Sequence, residues 1–179
     1  MAPNGDKFLL NNNQQTEINN PMLWWPNGLG EQNLYKITVK LFEGETVVDS
    51  VTKYVGLRKL ILVKERDEFG ESFCHEVNGV RFFAMGADYI PEDNILSRIV
   101  PERTNKLITQ CKLCNFNSIR VWGGGYYPDD FFYDICDKAG IVVFQDMMFA
   151  CEAIPSGEEM YKEIQYECID NLKRIRHHA

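Results

Sequence analysis

From Leu34 onward, polar and apolar positions alternate. Tyr35, Ile37, Val39 and Leu41 are separated by Lys36, Thr38 and Lys40, the period-two pattern of a half-buried strand. Glu43-Gly44-Glu45 predicts a hairpin turn, and the Val- and Thr-rich run from Thr46 to Leu57 predicts the returning strand. Ahead of them, residues 1–20 are polar and Asn/Gln-rich and read as a loose leading segment or linker. Between lies Leu23-Trp24-Trp25-Pro26-Asn27-Gly28, where Pro-Asn-Gly signals a turn. The paired Trp reads as a packing device at a sandwich edge, with a sugar platform as the alternative. Residues 1–62 thus hold too few strands to close a sandwich around a core of their own.

The texture changes after Leu60. Asn78-Gly79 is a turn between β-prone runs, and Arg81 to Gly86 reads as one short buried strand. An irregular stretch from Pro91 to Val100 leads to a helix opened by Pro101-Glu102 and ending near Phe116. Ser118 to Trp122 is the next strand, stopped by Gly123-Gly124-Gly125. A second helix runs from Pro128-Asp129-Asp130 to Gly140. Ile141 to Phe144 is apolar throughout, which predicts a strand buried on both faces. Tyr161, Ile164, Cys168, Leu172 and Ile175 mark one face of a final long helix. Strand–helix alternation implies parallel strands with helical crossovers. Three such units fit an open sheet or a closed barrel. Asp88 and Tyr89, Arg120 and Trp122, and Gln145 and Asp146 gather at strand ends, where such folds carry their sites, and this placement favours the barrel.

Composition narrows the classes. With 45% hydrophobic and 25% charged residues among 179, the chain is neither disordered nor low in complexity. No apolar run approaches the ~18–20 residues of a membrane span, and Met1 to Leu10 lacks the basic and apolar regions of a secretory leader. A net charge of −7 argues against nucleic acid as a partner. The one dense basic cluster, Lys173, Arg174 and Arg176, suits the dipole of a helix end. Of the six cysteines only Cys111 and Cys114 are close, on an apolar helical face, so buried core thiols in a reducing, cytoplasmic compartment are expected. No second ligand pair completes a metal site, His177 and His178 diverge on a helix, and no cofactor loop is present, so neither metal nor cofactor is expected.

Four residues are candidates for chemistry. Arg120 sits in an otherwise apolar strand, and a buried guanidinium requires an anion. It is either a salt bridge to Asp146 or Asp88, or a clamp on a catalytic carboxylate or an anionic ligand. Trp122 precedes three glycines, whose missing side chains would let a sugar ring approach the indole; a core Trp beside a flexible turn is the alternative. Asp88 and Asp146 are the carboxylates best placed to share a pocket, as an acid/base pair or as partners of Arg120.

These motifs are familiar. Leu23 to Gly30 with Leu34-Tyr35 and Gly56-Leu57-Arg58 resemble the last strands of the immunoglobulin-like domain in glycoside hydrolase family 2. Val77-Asn78-Gly79 and Gly86-Ala87-Asp88-Tyr89-Ile90-Pro91 resemble the start of that family's barrel. Arg120 to Gly125 and Phe144 to Cys151 are similar to its β-mannosidase branch. The resemblance covers about residues 20–179. It implies an α/β chain with a β N-terminal part: residues 1–62 as the end of an immunoglobulin-like β-sandwich, residues 63–179 as the first three βα units of a (β/α)8 TIM barrel.

The activity implied is that of a retaining exo-hydrolase of terminal β-mannose, acting on a β-mannoside through two glutamates. Both would lie on later strands, the first soon after a segment like Arg176-His177-His178, so this chain alone is expected to be inactive. By the same resemblance Arg120 would orient the nucleophile, Trp122 would line the mannose subsite and Asp146 would support the pocket floor. Asp88 stands where the family usually has Asn, and its charge would raise the pKa of a nearby carboxylate. Phe144 replaces a frequent Trp. A β-glucuronidase or β-galactosidase relative, differing at Trp122-Gly123-Gly124, is the nearest alternative, and a non-catalytic carbohydrate-binding or interaction module is another. Three strands of eight leave open sheet edges, so self-association is expected.

Overall fold

The computed structural model describes residues 17–151 and 153–179, so most of the predicted leading segment, residues 1–16, lies outside the described residues. Among the described residues, eight strands and three α-helices follow one another. The first two strands are β1 (Tyr35–Glu43) and β2 (Thr46–Val55). Then come β3 (Leu60–Val63), β4 (Cys74–Val77), β5 (Val80–Phe82) and β6 (Gly86–Tyr89). Helices then alternate with strands as α1 (Pro101–Leu113), β7 (Ser118–Val121), α2 (Asp130–Ala139), β8 (Val142–Gln145) and α3 (Glu158–Ile175). They form an antiparallel β1-β2 hairpin, an antiparallel β3-β4-β5 sheet and a parallel β6-β7-β8 sheet. This is a mixed α/β chain with β sheets first and parallel βα units after.

Local chemistry accounts for most boundaries. The β1-β2 hairpin closes through Gly44 at φ +61°, a conformation costly for any residue with a Cβ. Asn78 (φ 50°) and Gly79 (φ 84°) form the left-handed pair of the β4-β5 turn. Pro101 opens α1, where a missing N–H costs nothing. Gly140 ends α2 at φ 77°.

The run predicted as one strand from Arg81 to Gly86 is divided in two. Asn117, only 3% exposed, accepts a hydrogen bond from Met85 N–H (2.8 Å) and donates to the Phe83 carbonyl (3.0 Å). That clamp carries the chain out of the antiparallel sheet and into the parallel one. Asp88 and Tyr89 therefore lie on the first parallel strand rather than after it. Residues 62 and 63, the expected domain boundary, lie within β3, which pairs along its length with β4.

One core fills the space between the parallel sheet and its helices: Tyr89, Ile108, Ile119, Val121, Phe132, Tyr133, Cys136 and Ile141. A second unites Trp24, Val77, Phe82 and Val142. Trp24 of the pair packs inside this core and offers no open face to a sugar, while Trp25 is half-buried against it. Trp24 is fully buried, its indole N–H donates to the Asp137 carbonyl at 2.8 Å, and Asn27 Nδ2 donates to the Lys112 and Phe116 carbonyls. The segment thus caps the C-terminal ends of α1 and α2, at the end of the parallel sheet opposite the strand C-termini.

Three expectations of burial are corrected. The β1-β2 hairpin is exposed on both faces, with only Tyr35 and Val55 at its base half-buried. Phe144 of β8 is 40% exposed, since the sheet face away from the helices is open. The predicted face of α3 is not buried: Tyr161 and Leu172 are exposed, and Ile175 alone of that face packs on the core.

Candidate functional site

β7 turns Ile119 and Val121 into the core and Arg120 to the open face, as strand alternation requires. Parallel register sets Asp88, Arg120 and Phe144 side by side. The Arg120 fork grips Asp146, with Nε 3.1 Å from Oδ1 and Nη2 2.6 Å from Oδ2, and Nη1 lies 3.4 Å from Asp88 Oδ1. Asp146 Oδ2 also accepts the Gly123 N–H at 3.1 Å. Hydrogen bonding by Asp146, followed by the charges of Asp146 and Asp88, raises the Arg120 pKa further. One cation against two carboxylates leaves the group net negative.

The guanidinium was expected to be buried, yet its side chain is 47% exposed. It borders an open cleft of about 560 Å³, walled by Phe73, His75, Phe82, Phe83 and Phe144, with Asp88 and Ser118 as its other polar members. A guanidinium carries five N–H donors, so the contacts above leave donors free for the cleft. Both carboxylates are engaged with Arg120, which matches the salt-bridge reading of these three residues.

Trp122 does not line that cleft. It sits one residue past β7, half-buried, with its backbone N–H donating to the Tyr89 carbonyl and its ring against Gly124. A Cβ on Gly124 would overlap the indole, and one on Gly123 would come within 2.5 Å of the Met147 carbonyl. The glycine run therefore admits the protein's own atoms, where the sequence suggested room for a ligand. Gly124→Ala is expected to push the indole outward without unfolding the chain, because a ring tip can move where backbone cannot. A red-shifted, more quenchable Trp122 emission with a nearly unchanged melting temperature checks this.

Two groups were missed in the sequence. His75 lies in the cleft wall, its ring 5.7 Å from that of Phe82. Burial lowers its pKa, so the folded chain favours the neutral ring. Above pH 6.5 the ring is neutral folded or unfolded; as pH falls through the lowered folded value the unfolded chain protonates first and stability drops. His177 has the same sign, from burial and then from His178 and Lys53. Denaturant midpoints are expected to fall between about pH 7 and pH 5, and His75→Gln to flatten part of that fall.

The second group is Asp134, Asp137 and His178, the cluster among the described residues with ligand atoms close enough for a cation. His178 Nδ1 lies 2.7 Å from Asp137 Oδ2, and the Ala179 N–H is 2.9 Å from Asp137 Oδ1. Both Asp137 oxygens are thus used in tying the end of the chain to α2. The i, i+3 acids were a legible signal, but their partner lies 41 residues away. Of the thiols expected in the core, Cys114 is exposed and Cys111 half-buried, with burial and then Cys114 raising the Cys111 pKa.

Residues 2–58 match the family described as glycosyl hydrolases family 2. The β-mannosidases B of Emericella nidulans and Aspergillus niger are each 42% identical over 90% of this chain. The chain belongs to glycosyl hydrolase family 2. It spans about 19% of the length of those relatives. Among solved structures, this family 2 segment superposes on the β-D-mannosidase of Dictyoglomus thermophilum with a TM-score of 0.87 at 42% identity, covering 90% of this chain and 20% of that one. The Amycolatopsis orientalis exo-chitosanase CsxA superposes at 0.75 with 21% identity, over 90% of this chain and 19% of that one, a likeness of fold alone.

Proposed function

We propose that this family 2 segment is part of a retaining exo-β-mannosidase. Residues 1–62 would be the closing strands of an immunoglobulin-like sandwich, and residues 63–179 the first three βα units of a (β/α)8 barrel. The observation that carries the reading is a contrast in identity: 42% to a β-D-mannosidase against 18–19% to two solved β-glucuronidases. Closeness at equal coverage favours a terminal β-mannoside over a glucuronide.

In such a reaction one carboxylic acid protonates the leaving oxygen while a second carboxylate attacks the anomeric carbon; water then releases the sugar. The reading assigns both glutamates to the longer protein, outside these 179 residues. What this chain would contribute is the floor and one wall. Asp146 holds the Arg120 fork, and the free guanidinium donors would orient the incoming nucleophile. Trp122 would line the mannose subsite from the strand end. Asp88, beside Arg120, would add negative charge and so disfavour ionisation of a neighbouring carboxylate. The open edges of β6 and β8 support association of isolated copies.

The test compares the longer protein with this chain on aryl β-mannoside, β-glucuronide and β-galactoside. Turnover of the mannoside by the longer protein alone is expected. Turnover by the 179-residue chain would overturn the assignment of the glutamates. Preference for another glycoside, or sugar binding with no hydrolysis in the longer protein, would overturn the activity.

A further inference from the structure

Two loops meet above the strand ends. The loop after β7 and the loop after β8 are joined by three hydrogen bonds: Gly123 N–H to Asp146 Oδ2 (3.1 Å), Ala150 N–H to the Gly123 carbonyl (3.3 Å), and Met148 N–H to the Tyr127 hydroxyl (3.2 Å). Gly123 permits this contact, since even a methyl there would meet the Met147 carbonyl. The Tyr127 hydroxyl also lies 3.7 Å from Met147 Sδ, and it donates to Glu167 Oε1 of α3 at 2.6 Å. Burial, then the bond to Glu167, pushes the Tyr127 pKa up to about 12, so the phenol keeps the proton it donates.

The consequence concerns Arg120. Its fork is nearly half exposed, so the direction it takes follows the mostly buried Asp146 carboxylate that holds it at both oxygens. The carboxylate that grips it opens the Asp146–Ala150 loop, whose position is held from Tyr127. Glu167 supplies the outer end of the chain of contacts. Elsewhere α3 is fastened at Arg174, which donates to the Pro128 carbonyl and to Asp130. Both anchors on α3 therefore reach the same loop after β7.

We propose that Tyr127 and Glu167 are positioning residues for the Arg120 site: the α3 carboxylate orients the phenol, the phenol holds the Met147-Met148 backbone, and that backbone aims Asp146 at the guanidinium. Neither touches the reacting atoms. Only the kinetic arm of the test below rests on the β-mannosidase reading.

The first arm uses the isotope-labelled 179-residue chain and the solvent-exchange rate of the Arg120 Nε–H, assigned by its loss in Arg120→Lys. Tyr127→Phe, which keeps the ring and loses both hydrogen bonds, is expected to speed exchange about tenfold through local opening. Glu167→Ala is expected to do the same, while Glu167→Gln, which keeps an oxygen acceptor, stays within about twofold of wild type. Unchanged exchange in Tyr127→Phe and Glu167→Ala would overturn the proposal. Should Tyr127→Phe fail to fold, the two Glu167 variants decide, and equal exchange in both overturns it. The second arm uses the longer protein. Tyr127→Phe is expected to lower kcat on an aryl β-mannoside about 10- to 100-fold with KM within about twofold, as a misaimed group does. An unchanged kcat in an active enzyme overturns the proposal. A wild type with no mannosidase activity sinks the parent reading and leaves the exchange result standing.

Discussion

Replacing Gly86 by alanine is expected to separate the first parallel strand from the second. Gly86 pairs with Ser118 at the start of β6, and a Cβ built on it would overlap the Ser118 carbonyl oxygen and crowd its carbon. The obstacle is backbone, which cannot rotate aside as a side-chain tip can. Relief requires β6 to move away from β7, at the cost of ladder bonds and of the Asn117 and Ser118 N–H bonds to the Met85 carbonyl beside it. Overpacking typically costs about 1–3 kcal/mol, and the lost backbone bonds add about 1 kcal/mol each. A loss of about 4 kcal/mol would consume much of a small domain's stability of ~5–15 kcal/mol.

Gly79→Ala is the control. At φ 84° with open space around it, that position should lose about 1–2 kcal/mol from left-handed strain alone. Denaturant unfolding of both variants checks the contrast. Equal midpoints would mean that β6 tolerates the added methyl, and with it the claim that Gly86 fixes the strand spacing would fail. Such spacing sets how close Asp88 comes to Arg120, so the prediction bears on the site as much as on the fold.

The split at Phe83–Met85 shows where sequence reading stops. Phe82 and Phe83 are equally apolar, and a window over Arg81–Gly86 sees one strand. Their fates differ because Phe82 is 8% exposed in the lower core while Phe83 is 82% exposed at the crossover, and the clamp that decides this is Asn117, more than 30 residues on. Local signals carried what was local: the left-handed turns, Pro101, Gly140 and the alternation of strand and helix. Arg120 as a demand for a carboxylate was legible too, since a guanidinium in an apolar strand has few alternatives. Which carboxylates answer it depends on parallel register, and register is a property of pairs. Asp88 and Asp146 lie 32 and 26 residues from Arg120. The Tyr127–Glu167 contact spans 40 residues with no periodic mark at either end. The glycine run shows the same limit. Sequence shows that a side chain is missing, and only the neighbouring loop shows which atoms occupy the space.

The largest loss from one buried side chain is expected at Trp24. It is fully buried against Val77, Phe82 and Val142, residues drawn from both the antiparallel and the parallel sheet. Truncating a buried Trp to alanine costs about 3–5 kcal/mol through lost contacts and the cavity left behind. A further 1–3 kcal/mol follows if the Asp137 carbonyl, which accepts the indole N–H at 2.8 Å, is left without a donor. Gly56 gives the site little room to collapse, because its Cα already lies against the Trp24 side chain so closely that a Cβ would stand 2.9 Å from it. Trp24→Phe separates the terms: it restores most of the volume and keeps the carbonyl unpaired, so it should recover more than half of the alanine loss. The two variants also read out connectivity. Trp24 and Asn27 join the leading segment to the ends of α1 and α2. Loss of Trp24 should therefore expose that seam to protease cleavage near Pro26 before the parallel sheet melts. A single cooperative transition in Trp24→Ala, less than about 1 kcal/mol below wild type, would show that the seam is held by other residues. The indole would then be a passenger in a core that closes without it.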